Sequence, residues 1–420
     1  MMDTPARVMM YSQDSYGLGH LRRLTNLANE LVRRRADLSV LLAVDSPVAP
    51  FFELGDRIDF VKLPTIVKKE AGVFQPARLL SSYSTVRTMR ARLLCESVRG
   101  FRPHVLLVDH MPGGANGELN ETLELVQHEG LPTRIVLGLR DIIDDAGVVR
   151  ALWQREGVYE TIERYYDWVM IYGSADVFAT AEAYAMPPTI LERVQYCGYV
   201  CNMGPVKATD RVRAKMGLGG EPLVVVMAGG GHDGYRLMQT FLDARSLVGD
   251  RAGFATLMVT GPFMDDDDRK SLRDQARQLG VEVHSSLGDS LSHIHAADVV
   301  VSMAGYNTVC EVLRFRKRAV VVPRSGPSAE QTTRTRLLAE RGLLQMLHPR
   351  ELTPRKLADA IARELAGTRR HVPENTPGLD GVAAATETIV SFLDRTAPAR
   401  PVVGREVLRR ESASLVPQRT

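Results

Sequence analysis

Short runs of β-branched and aliphatic residues alternate with helical stretches along most of this chain, and the alternation starts twice. In the first half the runs are Val8–Ser12, Leu38–Val44, Ile58–Leu63, His104–Asp109, Arg134–Leu139 and Trp168–Tyr172. Amphipathic stretches such as Leu21–Arg34, Val86–Val98 and Glu118–His128 lie between them. A last short run, Gln195–Val200, precedes Asn202-Met203-Gly204-Pro205, which reads as a linker. The pattern then restarts with Leu223–Met227, Ala255–Thr260, Val281–His284, Val299–Ser302, Ala319–Pro323 and Leu344–Leu347. Strands that alternate with helices build parallel sheets joined by crossovers. The expected fold class is therefore α/β, with two tandem Rossmann-like domains facing each other across a cleft. The expected boundaries are residues 1–201 and 206–395, followed by a flexible Arg- and Pro-bearing tail at 396–420.

Composition narrows what such a pair of domains does. At 420 residues each half is long enough for its own core, and 45% hydrophobic with 25% charged residues excludes a disordered or collagen-like chain. A net charge of +3 is too small to argue for nucleic-acid binding. No apolar run reaches the roughly 18 residues of a membrane span, and the first residues lack the layout of a secretory signal. The four cysteines, Cys95, Cys197, Cys201 and Cys310, are too scattered for a disulfide framework. Cys197 and Cys201 lack the further ligands of a tetrahedral zinc site. The expectation is a cytoplasmic protein.

In open α/β sheets ligands bind beyond the carboxyl ends of the strands, so the loops there carry the candidate chemistry. After the first run come Gly17-Leu18-Gly19-His20, where glycines let backbone approach a ligand and a helix begins. The spacing is not that of the dinucleotide fingerprint. His20, in the first turn of that helix, suits a general base, because the positive helix end disfavours its protonation. Asp109-His110 ends another run, and Asp109 or Glu118 could orient His20 or hold an acceptor hydroxyl. In the second half Gly229-Gly230-Gly231 can present backbone N–H groups to a diphosphate, without the Gly-Lys-Ser/Thr of an ATP-type loop. Ser302 and Gly305 open a further helix bearing Glu311, whose carboxylate could accept both hydroxyls of a ribose. Glu330 and Gln331, at the next strand's exit, could grip sugar hydroxyls. Asp265–Asp268 reads as a solvated helix start rather than a metal site. Lys68–Arg102, rich in arginine with interleaved leucines, reads first as a solvated helix with a core stripe and second as a membrane-surface face.

The second half resembles the nucleotide-sugar domain of family 28 (MurG-like) glycosyltransferases, through Ser302–Glu311, Pro323–Gln331 and the Leu352-Thr353-Pro354 lead into a late helix. The resemblance implies the GT-B fold, with Gly229, Gly230, Gly231, Ser302 and Gly305 near the diphosphate and Glu311 on the ribose. It likewise implies Glu330 and Gln331 on the donor sugar and Leu287 where uracil is held by backbone atoms. Gly17, Gly19 and His20 match the family's first glycine loop and base. Ser12–Leu24 with Val108-Asp109-His110 is also similar to PseG-type UDP-sugar hydrolases, which use water as acceptor. The expectation is an inverting transferase that moves a hexose or N-acetylhexosamine from a UDP-sugar to an acceptor hydroxyl on a lipid, glycan or small metabolite. His20 and Asp109 are its catalytic pair; no metal or other cofactor is required, no nucleic acid is a partner, and contact with the inner membrane face would be peripheral. The alternatives are the hydrolase and a non-catalytic nucleotide-sugar-binding partner protein. The transferase mechanism requires His20 to face the Gly229 and Gly305 loops.

Overall fold

A parallel strand is covered by helices on both faces, so its sequence reads as an unbroken apolar run. In the computed structural model, which describes residues 5–13, 19–70, 73–249, 253–324, 326–367 and 376–394, these runs fold as strands. The strands of the first half are β1 (Ala6–Ser12), β2 (Leu38–Val44), β3 (Ile58–Lys62), β6 (Val105–Asp109), β7 (Arg134–Arg140), β8 (Trp168–Tyr172) and β9 (Val194–Tyr196), with β4 (Ile66–Glu70) and β5 (Val73–Pro76) forming a hairpin that the sequence runs did not include. In the second half they are β10 (Leu223–Met227), β11 (Ala255–Val259), β12 (Glu282–His284), β13 (Val299–Ser302), β14 (Arg318–Val321) and β15 (Gln345–Met346). Among the described residues the first sheet has the order β3-β2-β1-β6-β7-β8-β9 and the second β12-β11-β10-β13-β14-β15. Every pairing within these two sheets is parallel.

Each sheet reverses its winding direction once, between β1 and β6 in the first and between β10 and β13 in the second. A crevice opens at such a switch point, outside the carboxyl ends of the strands. The chain leaving β1 leads to helix Gly19–Arg34, which buries Leu21, Leu24, Leu27, Ala28, Leu31 and Val32 at three- and four-residue spacing and ends on Arg33 and Arg34. The chain leaving β13 leads to helix Tyr306–Arg314, capped at its start by Gly305. Gly17 and the 396–420 tail lie outside the described residues.

The last helix, Gly381–Asp394, returns to pack on helix Gly19–Arg34 of the first sheet. A Cβ on Gly381 would lie 2.5 Å from the Gly198 carbonyl oxygen, so only glycine permits this crossing. Arg35 pairs with Asp394 at 2.5 Å, and Phe392 packs edge-on against Trp168. Tyr306 fastens the two halves as well: its hydroxyl donates to the Tyr172 carbonyl at 2.9 Å and accepts from the Val200 amide at 2.8 Å.

One stretch differs from its sequence reading. Lys68–Arg102 is not a single helical face: Lys68 belongs to an antiparallel hairpin of β4 and β5, and the helix is Tyr83–Phe101. Ser82 caps that helix by accepting from the Thr85 amide at 3.1 Å. The helix buries Val86, Arg90, Ala91, Leu94 and Val98 and leaves Met89 and Leu93 exposed, as are Leu79 and Leu80 before it. Among the described residues, no helix is long and apolar enough to cross a membrane.

Candidate active site

Loops from both switch points line one cleft of about 350 Å³. From the first sheet come Gly19, His20, Arg22, Arg23 and Arg140. From the second come Gly229–Gly231, His232, Asp233, Leu287, Gly305, Glu330 and Gln331. His20 therefore faces the Gly229 and Gly305 loops.

His20 sits at the start of its helix with Nδ1 2.5 Å from Asp109 Oδ2. Arg23, one turn on, holds the same carboxylate in a fork, Nε to Oδ1 at 3.0 Å and Nη2 to Oδ2 at 2.8 Å. An ionised Asp109 fixes the tautomer: Nδ1–H donates to the carboxylate, and Nε2 carries the lone pair. Burial holds the imidazole below its ordinary value of 6.5, against the opposing pull of Asp109, while Arg23 and Arg140 depress it further. Asp109 is itself held well below the carboxylate range by Arg23 and His20, which outweigh the desolvation that opposes them. His110 packs beside His20 with ring centroids 5.2 Å apart, on a backbone with φ of 72°. A left-handed conformation at a non-glycine residue is costly, and here it turns the chain at the end of β6 beside the site.

The sequence left open whether Asp109 or Glu118 orients His20. Asp109 does so. Glu118 is fully buried elsewhere, accepting from Arg90 Nε and Nη2 at 2.6 Å each and from the Tyr11 hydroxyl at 2.5 Å.

The glycines of the second sheet serve different ends. Gly231 and Gly261 meet backbone to backbone: a Cβ on Gly231 would lie 2.4 Å from the Thr260 carbonyl oxygen, and one on Gly261 2.5 Å from the Gly230 carbonyl carbon. Gly261 also lines the cleft, unnoticed in the sequence because a single glycine after a strand has no distinguishing pattern. Gly305 has an ordinary φ of −61° and nothing within 4 Å of its Cβ position. Its missing side chain thus leaves open space before the helix N-terminus, where backbone N–H groups favour an anion.

Ser302 ends β13 fully buried, behind the cleft surface. Glu311 is buried on helix Tyr306–Arg314, one turn behind the cleft-lining Thr308. Its Oε1 accepts from Arg22 Nη1 of the first sheet at 3.3 Å, and its Oε2 has no hydrogen-bond partner among the described residues. Burial raises its carboxyl above the ordinary value, with Arg22 and Arg314 opposing. Glu330 Oε1 accepts from Arg140 Nη1 and Arg334 Nη1, each at 3.0 Å. Arg140, Arg334 and Arg324 pull Glu330 down to about 2 against the desolvation of its buried site. Gln331 accepts the Arg324 amide at 3.1 Å. Arg22, Arg23, Arg140, Arg324 and Arg334 were given no role in the sequence reading. Two left a local signal there: Arg23, three residues after His20, and Arg334, four residues after Glu330, each on the same helix face as its partner.

Two Rossmann-like units with their switch-point loops turned to a common cleft define a GT-B protein. Residues 224–381 match the glycosyltransferase family 28 C-terminal domain. The chain is 23% identical over 239 residues to an uncharacterized glycosyltransferase of Methanopyrus kandleri, covering 56% of this chain and 63% of that one. It is 24% identical over 189 residues to the UDP-N-acetylglucosamine–N-acetylmuramyl-(pentapeptide) pyrophosphoryl-undecaprenol N-acetylglucosamine transferase of Bacillus subtilis, covering 44% and 52%. The matches thus span about six-tenths and about half of these relatives. A calicheamicin glycosyltransferase shares the fold with a TM-score of 0.60 at 16% identity, over 94% of this chain and all of that one.

Proposed function

We propose that this protein is an inverting glycosyltransferase that moves a hexosyl group from a UDP-sugar to an acceptor hydroxyl. The observation that carries the reading is the oriented His20–Asp109 pair on one wall of a cleft whose other wall is the Gly229–Gly231 loop and the helix N-terminus at Gly305. In this reading His20 Nε2 takes the acceptor's hydroxyl proton as the oxygen attacks the anomeric carbon from the face opposite the diphosphate. Asp109 stabilises the imidazolium that forms, and backbone N–H groups of the second sheet stabilise the departing UDP. Glu311 accepts from the ribose, and Leu287 lies against the base. The name of the Bacillus subtilis relative, with its UDP-sugar donor, supports the choice of nucleotide. The acceptor belongs to the lipid, glycan or small-metabolite class. The exposed Leu79, Leu80, Met89 and Leu93 are where a membrane-borne acceptor would be met at the inner membrane face.

Glu311→Ala tests the donor placement. Losing a charge-assisted hydrogen bond should weaken UDP binding by roughly 1.5–3 kcal/mol in calorimetry. Unchanged affinity in the folded variant overturns the ribose assignment. Product analysis with UDP-sugars, with and without cell extract, then tests the reaction. Sugar release that needs no acceptor would make the protein a hydrolase, and binding without turnover a partner protein.

A further inference from the structure

The cation beside the base is held from both halves of the molecule. Arg23 is fully buried, three residues after His20 on the same helix. Its Nη2 and His20 Nδ1 converge on one oxygen, Asp109 Oδ2, at 2.8 and 2.5 Å, which brings guanidinium and imidazole within 2.9 Å of each other. Where a further acceptor is missing for Nη1 among the described residues, the guanidinium meets aromatic rings. Its carbon lies 5.4 Å from the Tyr172 ring centroid and 5.5 Å from that of Tyr306. The negative face of a ring attracts a cation at such distances. Tyr172 ends β8 of the first sheet, but Tyr306 opens the helix after β13 of the second. The Tyr306 ring is fixed in turn: its hydroxyl bridges Tyr172 and Val200, and Arg334, forked onto Asp141, lies over the same ring at 5.5 Å. Asp109, Arg23, Tyr306, Arg334 and Asp141 thus form one chain of contacts that crosses between the halves twice.

We propose that Arg23 is a positioning residue for the base and that Tyr306 is the second half's hold on it, so that His20 is set for proton transfer only while the halves are docked through this ring. The inference rests on the reading of His20 as the base and adds what keeps it aimed. Two parallel N–H bonds from a guanidinium fix the plane of the Asp109 carboxylate, and that plane decides where His20 Nδ1 points. Arg23 also opposes the imidazolium, because two cations then share one carboxylate. Its charge weakens the base while its fork orients it. Tyr306 directly follows Gly305, at the helix N-terminus proposed for the diphosphate, so the turn that receives the donor also braces the base.

Magnetic resonance of the full chain with nitrogen-15-labelled histidine tests this without turnover, the His20 signals being assigned by their loss in His20→Gln. The native ring should show a single Nδ1–H tautomer. Arg23→Gln should mix the tautomers and raise the His20 titration midpoint, since a positive charge beside the ring is gone while Asp109, His110 and Arg140 still face it. Tyr306→Leu should move the midpoint the same way with every charge retained. Tyr306→Phe gives up the same hydroxyl but keeps the ring, and should leave tautomer and midpoint native. If a variant does not fold, Arg23→Lys and Tyr306→Met take its place; the lysine, with charge but no fork, should keep the low midpoint and lose the single tautomer. A single tautomer in the folded Arg23 variant overturns the positioning role, and equal His20 signals in Tyr306→Leu and Tyr306→Phe overturn the part of the second half. Full transfer activity in His20→Gln instead overturns the base reading, while the ring titrations still decide whether Arg23 orients His20.

Discussion

At His20 two environments act in opposite directions, and their balance sets the pH range in which the residue can work as a base. Burial disfavours the imidazolium, and Asp109 favours it; burial is the larger, so the ring stays neutral below its ordinary value of 6.5. A base is lost as pH falls through its pKa, so the acid limb of the pH–rate profile should lie below 6.5. His20→Ala should cut turnover by roughly 10²–10⁴-fold, the usual contribution of a general base. Asp109→Asn removes the main influence that raises the His20 pKa. It should therefore lower turnover, by releasing the tautomer, and move the acid limb to still lower pH. A rate loss with the limb unmoved would mean that Asp109 only supports the fold, and full activity in His20→Ala would move the base elsewhere.

Among the elements, helix Glu330–Glu340 and the loop after β7 are joined through Arg334 and Asp141, both buried. Removing one partner of such a pair strands the other charge away from water, which costs about 3–5 kcal/mol. Arg334→Leu should lower the urea midpoint accordingly, and adding Asp141→Leu should recover much of the loss, because no charge is then left unpaired. Glu330, in the same cluster, contributes stability in full above its ordinary value of 4.5; that stability is lost as pH falls toward about 2. Arg334→Leu should therefore also flatten the acid side of the stability profile, which urea titrations between pH 3 and pH 6 would measure. The same contrast explains what the sequence could reveal. β2, β8, β10 and β13 were legible to the residue because parallel strands covered on both faces are mostly apolar runs. The hairpin Ile66–Pro76 was not, since Lys68, Lys69 and Glu70 break the apolar pattern and its partner strand has only four residues. The glycine loops and His20 stood at strand exits, where position alone marks them. The arginine–acid pairs did not, because Arg334 lies 193 residues from Asp141 and Arg140 lies 190 from Glu330. Nothing local records a partner that only tertiary folding supplies.

For the molecule as a whole, the proposed chemistry depends on a distance that neither half fixes alone. His20 belongs to the first sheet, while the Gly229–Gly231 loop and Gly305 belong to the second. Proton transfer and attack need separations of roughly 3–3.5 Å, and a small rotation between the sheets would spoil them. Several contacts span the cleft itself: Arg22 to Glu311, Arg140 to Glu330, and the Asn307 side-chain amide to the Gly19 carbonyl at 3.5 Å. These involve groups that the donor would also contact, so ligand and cross-cleft pairs act on the same residues. Farther out, the halves are also connected by helix Gly381–Asp394 on the first sheet and by the Cys201–Pro205 linker, where a hinge would lie. Arg314 donates to the Asn202 and Gly204 carbonyls, the latter at 2.9 Å, which ties that linker to the helix carrying Glu311. In the proposed mechanism, donor binding at Glu311 would then be mechanically joined to rotation at the linker. UDP should slow proteolytic cutting at 201–205 and slightly reduce the radius of gyration in solution scattering. Cutting at an unchanged rate with UDP bound would mean that the two sheets stay in one arrangement, and that the cleft admits its donor without closing.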